Sequence, residues 1–310
     1  MSASTSTRPA PPKNKWFKLV WILPAALVAL LAVVLVAKGL RELPAVQSFL
    51  ADYPGESELP HGAPVGFPAW LAWQHFLNAF FMLLIIRSGW LVRTTTRPPG
   101  YWTRNNRGLI KTKNPPTKMS LHLWFHLSLD VLWVLNGLIF YVLLFATGQW
   151  TRVVPTSWDV FPNAVSAALQ YASLDWPLEN GWVNYNALQL LTYFITIFVA
   201  APLAIITGLR MSSAWPKQAG INKAYPIELA RAVHLPVMFY FVAFIIVHVT
   251  LVLTTGALRN LNHMYAARDD GGWLGFWLFA ASLVVMILAW VAVRPILLRP
   301  IASLTGSVTR

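Results

Sequence analysis

The chain contains no cysteine. That absence excludes disulfides, haem attached through a CxxCH motif, and iron–sulfur clusters held by cysteine. Any redox cofactor must therefore be one that histidine alone can hold. Charge is also scarce. Only 11% of the residues are charged, less than half the roughly 25% of an ordinary soluble domain. What fills the gap is apolar, for 56% of the 310 residues are hydrophobic. Six runs are long enough to cross a hydrocarbon core of ~30 Å, which takes roughly 20 helical residues. They lie near residues 19–37, 68–90, 121–147, 187–208, 232–255 and 273–293. The expected fold is all-α, an integral membrane bundle of six transmembrane helices.

The first run follows KNKWFK and has nineteen uncharged residues before KGLRE. A secretory signal core is shorter, about 7–15 residues, and ends at a small-residue cleavage site, so this run reads as a retained span. Residues 1–14, rich in Ser, Thr and Pro, read as a disordered tail.

Acidic residues are almost missing from one set of loops. The N-terminal tail, the loops near 91–119 and 210–231, and the C-terminal tail hold 18 of the 24 basic residues and a single acid, Glu228. The alternate loops hold Lys38, Arg41, Arg152, Arg259 and Arg268 with nine of the eleven acids. Only Arg87 and Asp130 fall within spans. This is the positive-inside distribution, which puts both termini in the cytoplasm of a multi-pass protein of the plasma membrane. The net charge of +13 thus orients the chain against anionic lipid and gives no reason to invoke nucleic acid.

No loop is large enough for a separate soluble domain. The basic, proline-rich stretch 94–118 is expected to be irregular and close to lipid. The loop between spans three and four carries Trp150, Trp158, Trp176 and Trp182 and a short helix expected at 163–173. Such aromatics form either an interfacial belt or a docking surface. Three Thr-Gly pairs, 147–148, 207–208 and 255–256, read as helix ends. Pro202 and Pro236 lie inside spans and invite kinks, which membrane helices tolerate.

A histidine inside a bilayer is costly and points to function. Span five holds two, His234 and His248, fourteen residues apart. On a helix that spacing rises about 21 Å and returns to within about 40° of the same face. Two sites at two depths follow. Span two runs the other way and puts His75 at the depth of His248. Span three puts His122 and His126 at the depth of His234. A relay of protons would want closer polar steps than the apolar residues and Tyr240 between the two histidines. Paired histidines in an apolar, cysteine-free bundle suit bis-histidine b-type haem, with Phe76, Phe80, Phe81, Phe239, Phe241 and Phe244 as its wall. The alternative from another class is a transporter using these histidines for protons or metal ions. The plainer reading, in which each histidine merely satisfies a backbone carbonyl, does not explain four of them matched in depth. His61 and His263 fall in outer loops and are expected at the surface.

These residues resemble the di-haem cytochrome b subunits of nickel–iron hydrogenases, formate dehydrogenases and thiosulfate reductases. The likeness rests on His75-Phe-Leu-Asn78-Ala79, on the His234–His248 spacing, and on a histidine in the helix between, over roughly 68–256. It implies His75, His234, His248 and one of His122 or His126 as iron ligands of two b-type haems. His126 is the preferred choice, being further from Lys118 at the membrane boundary. Asp130, one turn beyond His126, would bond a ligand imidazole, a quinone proton or a neighbouring helix. The resemblance also implies electron exchange between the quinone pool and a peripheral redox subunit. The chain would then be the membrane anchor of an oxidoreductase rather than its catalyst, and an exported molybdenum-cofactor oxidoreductase docking on the outer aromatic loop is the expected partner. The organisation is a tail (1–14), an added first span with its outer loop (15–67), a four-helix di-haem core (68–256), and an added last span with a cytoplasmic tail (257–310). The added first span inverts the core relative to the usual family orientation, so the family's partner side does not carry over.

Overall fold

The computed structural model describes residues 16–106, 111, 115–176, 180–216 and 220–310. In chain order its helices are α1 (Trp16–Arg41), α2 (Pro44–Asp52), α3 (Ala69–Thr94), α4 (Leu121–Ala146), α5 (Val160–Ala172), α6 (Ala187–Phe194), α7 (Ala201–Met211), α8 (Ile221–Ala224), α9 (Ile227–Thr254), α10 (Ala257–Leu261), α11 (Leu274–Ala292) and α12 (Pro295–Ser303). Three short strands, β1 (Tyr101–Arg104), β2 (Met119–Ser120) and β3 (Gly306–Thr309), complete the secondary structure. A π-helical segment, Ile195–Ala200, joins α6 to α7 in one span. Among the described residues six helices are long and apolar enough to cross a membrane: α1, α3, α4, α6 with α7, α9 and α11. The all-α membrane bundle expected from the apolar runs is the fold. The expected tail at 1–14 lies outside the described residues.

Lipid offers the backbone no hydrogen bonds, so each apolar run must satisfy its own as helix. The ends are set by local chemistry. Ser120 accepts from Leu123 N at 3.2 Å to start α4, and Asn186 accepts from Gln189 N at 2.8 Å to start α6. Two of the three Thr-Gly pairs end a helix as expected, with Gly148 at φ 73° and Gly256 at φ 119°, values that glycine adopts without strain. The third does not, for Gly208 lies inside α7. Pro236 does not break α9, which runs on to Thr254. Pro202 sits in the first turn of α7, just after the π segment.

α3 packs most extensively on α4, and α7 on α9. Met82, Ala200, Val237 and Phe241 form a buried cluster, with Trp133 of α4 packed against it, and so tie four spans together at mid-height. The added helices attach differently. Among the described side chains of α1 only Val34 and Ala37 are buried, and the helix leans on α5 through Arg41, which reaches Ser173 Oγ at 2.7 Å and Asp175 at 2.6 Å. α11 meets the core through a π-helical turn, Asn262–Ala266. The backbone of Asn262 would lie 2.4 Å from a Cβ at Gly275, so only glycine allows that approach. Arg87, in α3, bonds the carbonyls of Trp290 and Val293 and lies over the Trp290 ring. It thereby caps the negative C-terminal end of α11.

The loop expected to be irregular is partly ordered. Its strand β1 pairs antiparallel with β2 and with β3 from beyond the last span. Buried Trp102 anchors this sheet by donating to Ala302 O at 3.0 Å. The remainder of that loop at 107–110 and 112–114 lies outside the described residues.

Candidate functional site

The four spans α3, α4, α6–α7 and α9 bring the intramembrane histidines together in two pairs. The ring centres of His75 and His248 are 6.3 Å apart, and those of His126 and His234 are 6.5 Å apart. A metal–imidazole bond is about 2 Å and the ring centre lies about 1.2 Å behind its nitrogen, so two imidazoles on one metal have centres roughly 6 Å apart. Neither pair is in hydrogen-bonding contact, and each has the spacing of two axial ligands.

At the His126–His234 pair each ring is fixed from a neighbouring helix by a hydroxyl residue followed by glycine. Ser88 Oγ lies 2.9 Å from His126 Nδ1, and Thr207 Oγ1 lies 2.8 Å from His234 Nδ1. Each hydroxyl gives its one proton to a carbonyl of its own helix, Ile85 at 3.0 Å and Leu203 at 2.6 Å. It must then accept from the imidazole Nδ1–H. That fixes the tautomer and leaves Nε2 as the electron-pair donor. Gly89 makes room for its ring, for a Cβ there would stand 3.1 Å from His126 Cε1, whereas one at Gly208 would be in ordinary contact with His234 Cε1 at 3.6 Å. Gly208, read from the sequence as a helix end, lies within α7 beside this ring. Ser88 went unread in the sequence and Thr207 was read only as part of a helix-end pair; a hydroxyl–glycine step in two spans was the available signal.

At the His75–His248 pair rings replace hydroxyls. Phe244 stacks on His248 with centres 5.4 Å apart and planes 7° apart, and Tyr193 meets it edge-on at 6.2 Å. Tyr265, from the π turn beneath α11, stands edge-on to His75 at 5.8 Å. His75 Nδ1 is buried without a hydrogen-bond partner among the described residues.

His122 shares α4 with His126 but has no place in either pair; its Nδ1 too is buried without a partner among the described residues. Asp130 Oδ2 is 3.7 Å from His126 Nε2, too far for a hydrogen bond. Of the aromatic wall expected from the sequence, Phe244 is at a ring pair and Phe241 is in the buried cluster, whereas Phe239 is 52% exposed on another side of α9. His61 is exposed as expected. His263 is not, at 4% exposure: it bonds Asp269 at 2.7 Å and packs on Phe67 and Trp182. Burial holds its pKa below the ordinary imidazole value, while Asp269, bonded to it, is held below the usual carboxylate range. Beside it Arg152, 2% exposed, gives its guanidinium to the carbonyls of Gly66 and Gly181 and lies against Phe67 and Tyr185. Burial pushes the Tyr185 hydroxyl up to about 12.

Fold and pairs together define a helical membrane protein that carries two pairs of facing imidazoles inside its bundle. The model of one family, prokaryotic cytochrome b561, matches residues 66–267, more than half of the chain and all four paired histidines. The chain belongs to that family. It is a multi-pass cytochrome b of the plasma membrane that binds b-type haem and carries electrons across the bilayer, and the transporter alternative falls away. No curated protein and no solved structure matches the chain.

Proposed function

We propose that His75 with His248, and His126 with His234, are the axial ligands of two b-type haems, one near each leaflet. The observation that carries this is the near-equal separation of the two ring pairs, 6.3 and 6.5 Å, at the spacing two imidazoles take on one iron. Haem, when bound, supplies one-electron chemistry. The chain orients the ligand rings, keeps water out with apolar helices, and holds the Nδ1 protons of His126 and His234 on Ser88 and Thr207. His126, which faces His234 and has its tautomer fixed, is the ligand from α4 in this reading; His122 is not.

In the same reading the chain exchanges electrons between the quinone pool and a peripheral redox subunit that it anchors to the membrane, with both termini cytoplasmic. The charge distribution supports the orientation. The outer loop supports the docking role: Trp158 is 84% exposed and packs on Phe161, itself half exposed, on a surface where a protein partner would bury them. An exported molybdenum-cofactor oxidoreductase is the partner class the family resemblance favours.

Pyridine haemochrome assay of the purified chain against its protein concentration tests the core of the proposal. A ratio near two is expected; a ratio near one leaves one histidine pair without haem and refutes the two-site reading.

A further inference from the structure

Arg152 is buried without an opposite charge. It closes the turn Gln149–Arg152 that follows α4 and is only 2% exposed. A guanidinium keeps its proton inside proteins, so a full positive charge is buried here. Its partners are neutral. It donates to the carbonyls of Gly66 at 2.7 Å and Gly181 at 2.6 Å, and its Nε is buried with no acceptor among the described residues. A buried charge left uncompensated is strongly destabilising. Among the described residues no carboxylate answers it, for Asp269 serves His263 and Arg259, and Asp175 serves Arg41. The other cations of the loops at this end of the bundle are accounted for. Arg41 and Arg259 are paired, and Lys38 and Arg268 are exposed.

The contacts around Arg152 lead to one histidine pair. Its Cζ lies 5.0 Å from the centre of the Tyr185 ring and 4.9 Å from that of Phe67, and these two rings are 6.2 Å apart. Tyr185 meets Tyr193 at 5.1 Å, and Tyr193 meets His248 at 6.2 Å. Phe67 stacks on His263 at 5.8 Å, and the π turn that holds His263 carries Tyr265 to the edge of His75, also at 5.8 Å. Each ligand of this pair is thus joined to the same guanidinium, by routes that meet at Tyr185 and Phe67. The other pair is remote, since His234 lies fourteen residues along α9 from His248, roughly 21 Å away.

We infer that Arg152 holds a propionate carboxylate of the haem between His75 and His248. The fit is chemical. A b-type haem carries two carboxylates at one edge of an apolar ring, and a carboxylate inside a bundle needs a cation as much as Arg152 needs an anion. The planar guanidinium matches carboxylate geometry. After its bonds to Gly66 and Gly181, three of its five N–H groups remain to make that match. The pairing turns the carboxylate edge of this haem toward the turn after α4, and the positive charge beside it favours ferrous iron. The inference rests on the His75–His248 haem proposed above and adds the residue that orients it.

The test uses the full haem-loaded chain in detergent, with haem isotope-labelled at its propionate carboxyls, followed by redox-difference infrared spectroscopy and optical redox titration. Arg152→Gln should shift a labelled carboxylate band. It should also move the ferric–ferrous equilibrium of the haem missing from His75→Ala roughly tenfold toward ferric, about 59 mV, and leave the other haem unmoved. Arg152→Lys keeps the charge without the fork, so the band should shift while the midpoint stays near that of wild type. If Arg152→Gln does not assemble, the band in Arg152→Lys decides: moved, it supports the pairing, and unmoved, it overturns it. Glu179, the acid closest in sequence to Gly181, lies outside the described residues. Glu179→Gln should change neither reading; if it reproduces Arg152→Gln, the arginine pairs with that acid and the inference falls. It falls equally if Arg152→Gln carries two haems with the bands and midpoints of wild type, for the residue then only ties Gly66 to Gly181. A wild-type chain with a single haem refutes the two-haem reading itself, and this inference with it.

Discussion

Toward the N-terminal end of α9 the paired imidazoles are held by hydrogen bonds; toward its C-terminal end they are held by rings. His126 and His234 each give an Nδ1 proton to a buried hydroxyl that is itself committed to a carbonyl. His75 and His248 are wedged by Phe244, Tyr193 and Tyr265, and His75 Nδ1 has no partner among the described residues. Both arrangements position a ring. Only the first also tunes it, because a bonded Nδ1–H makes the other nitrogen a stronger donor. A stronger donor favours ferric iron, so the hydroxyl-held pair should have the lower midpoint potential of the two.

Removing a ring is the harshest way to break the comparison. His75→Ala and His248→Ala should each erase the same low-spin EPR signal, and His126→Ala and His234→Ala the other, with about half the haem lost every time. His122→Ala should leave both signals. A common signal lost from His75→Ala and His234→Ala would end the two-depth arrangement. A gentler change acts on one pair alone. Ser88→Ala or Thr207→Val should loosen haem at that pair by roughly 10- to 100-fold and raise its potential in a redox titration, leaving the other pair as it was. Gly89→Ala should cost more haem than Gly208→Ala, because its new Cβ stands 3.1 Å rather than 3.6 Å from a ligand ring.

The smallest effect belongs to the ring-held pair and comes from pH. His263 anchors the π turn that carries Tyr265 to His75. Its pKa is lowered from 6.5, first by burial. The opened turn therefore binds a proton more readily than the closed one, and the closed form loses stability as pH falls below 6.5. Fluorescence of Trp182, which packs on His263, should report loosening in mild acid. His263→Gln should remove that sensitivity, and the His126–His234 pair should not respond in either protein.

Much of this was legible in the sequence because the bilayer leaves few choices. Long apolar runs can only be helices there, so six spans and a helix near 163–173, found at Val160–Ala172, could be read directly. The four paired histidines were legible for a related reason: depth is set by helix rise and direction, and both follow from charge and length. What escaped depended on contacts between distant residues. The pairing of β1 with β3 joins segments on either side of four spans, and nothing in a proline-rich loop announces its partner. Gly208 looked like a helix end because Thr-Gly ends helices elsewhere in this chain; here α7 runs on through it to Met211. His263 was expected at the surface from its loop position, and its burial needs Phe67, Trp182 and Asp269 from three separate segments.

The pairing of β1 with β3 has a consequence in time. Trp102 is synthesised 200 residues before Ala302, the residue whose carbonyl it bonds. At ~5–20 residues per second, that is a wait of roughly 10 to 40 s. During it α4, α6–α7, α9 and α11 must all enter the bilayer before β3 emerges to close on β1. The little sheet is therefore a late latch, able to shut only when the spans before and after it have reached the same side of the membrane.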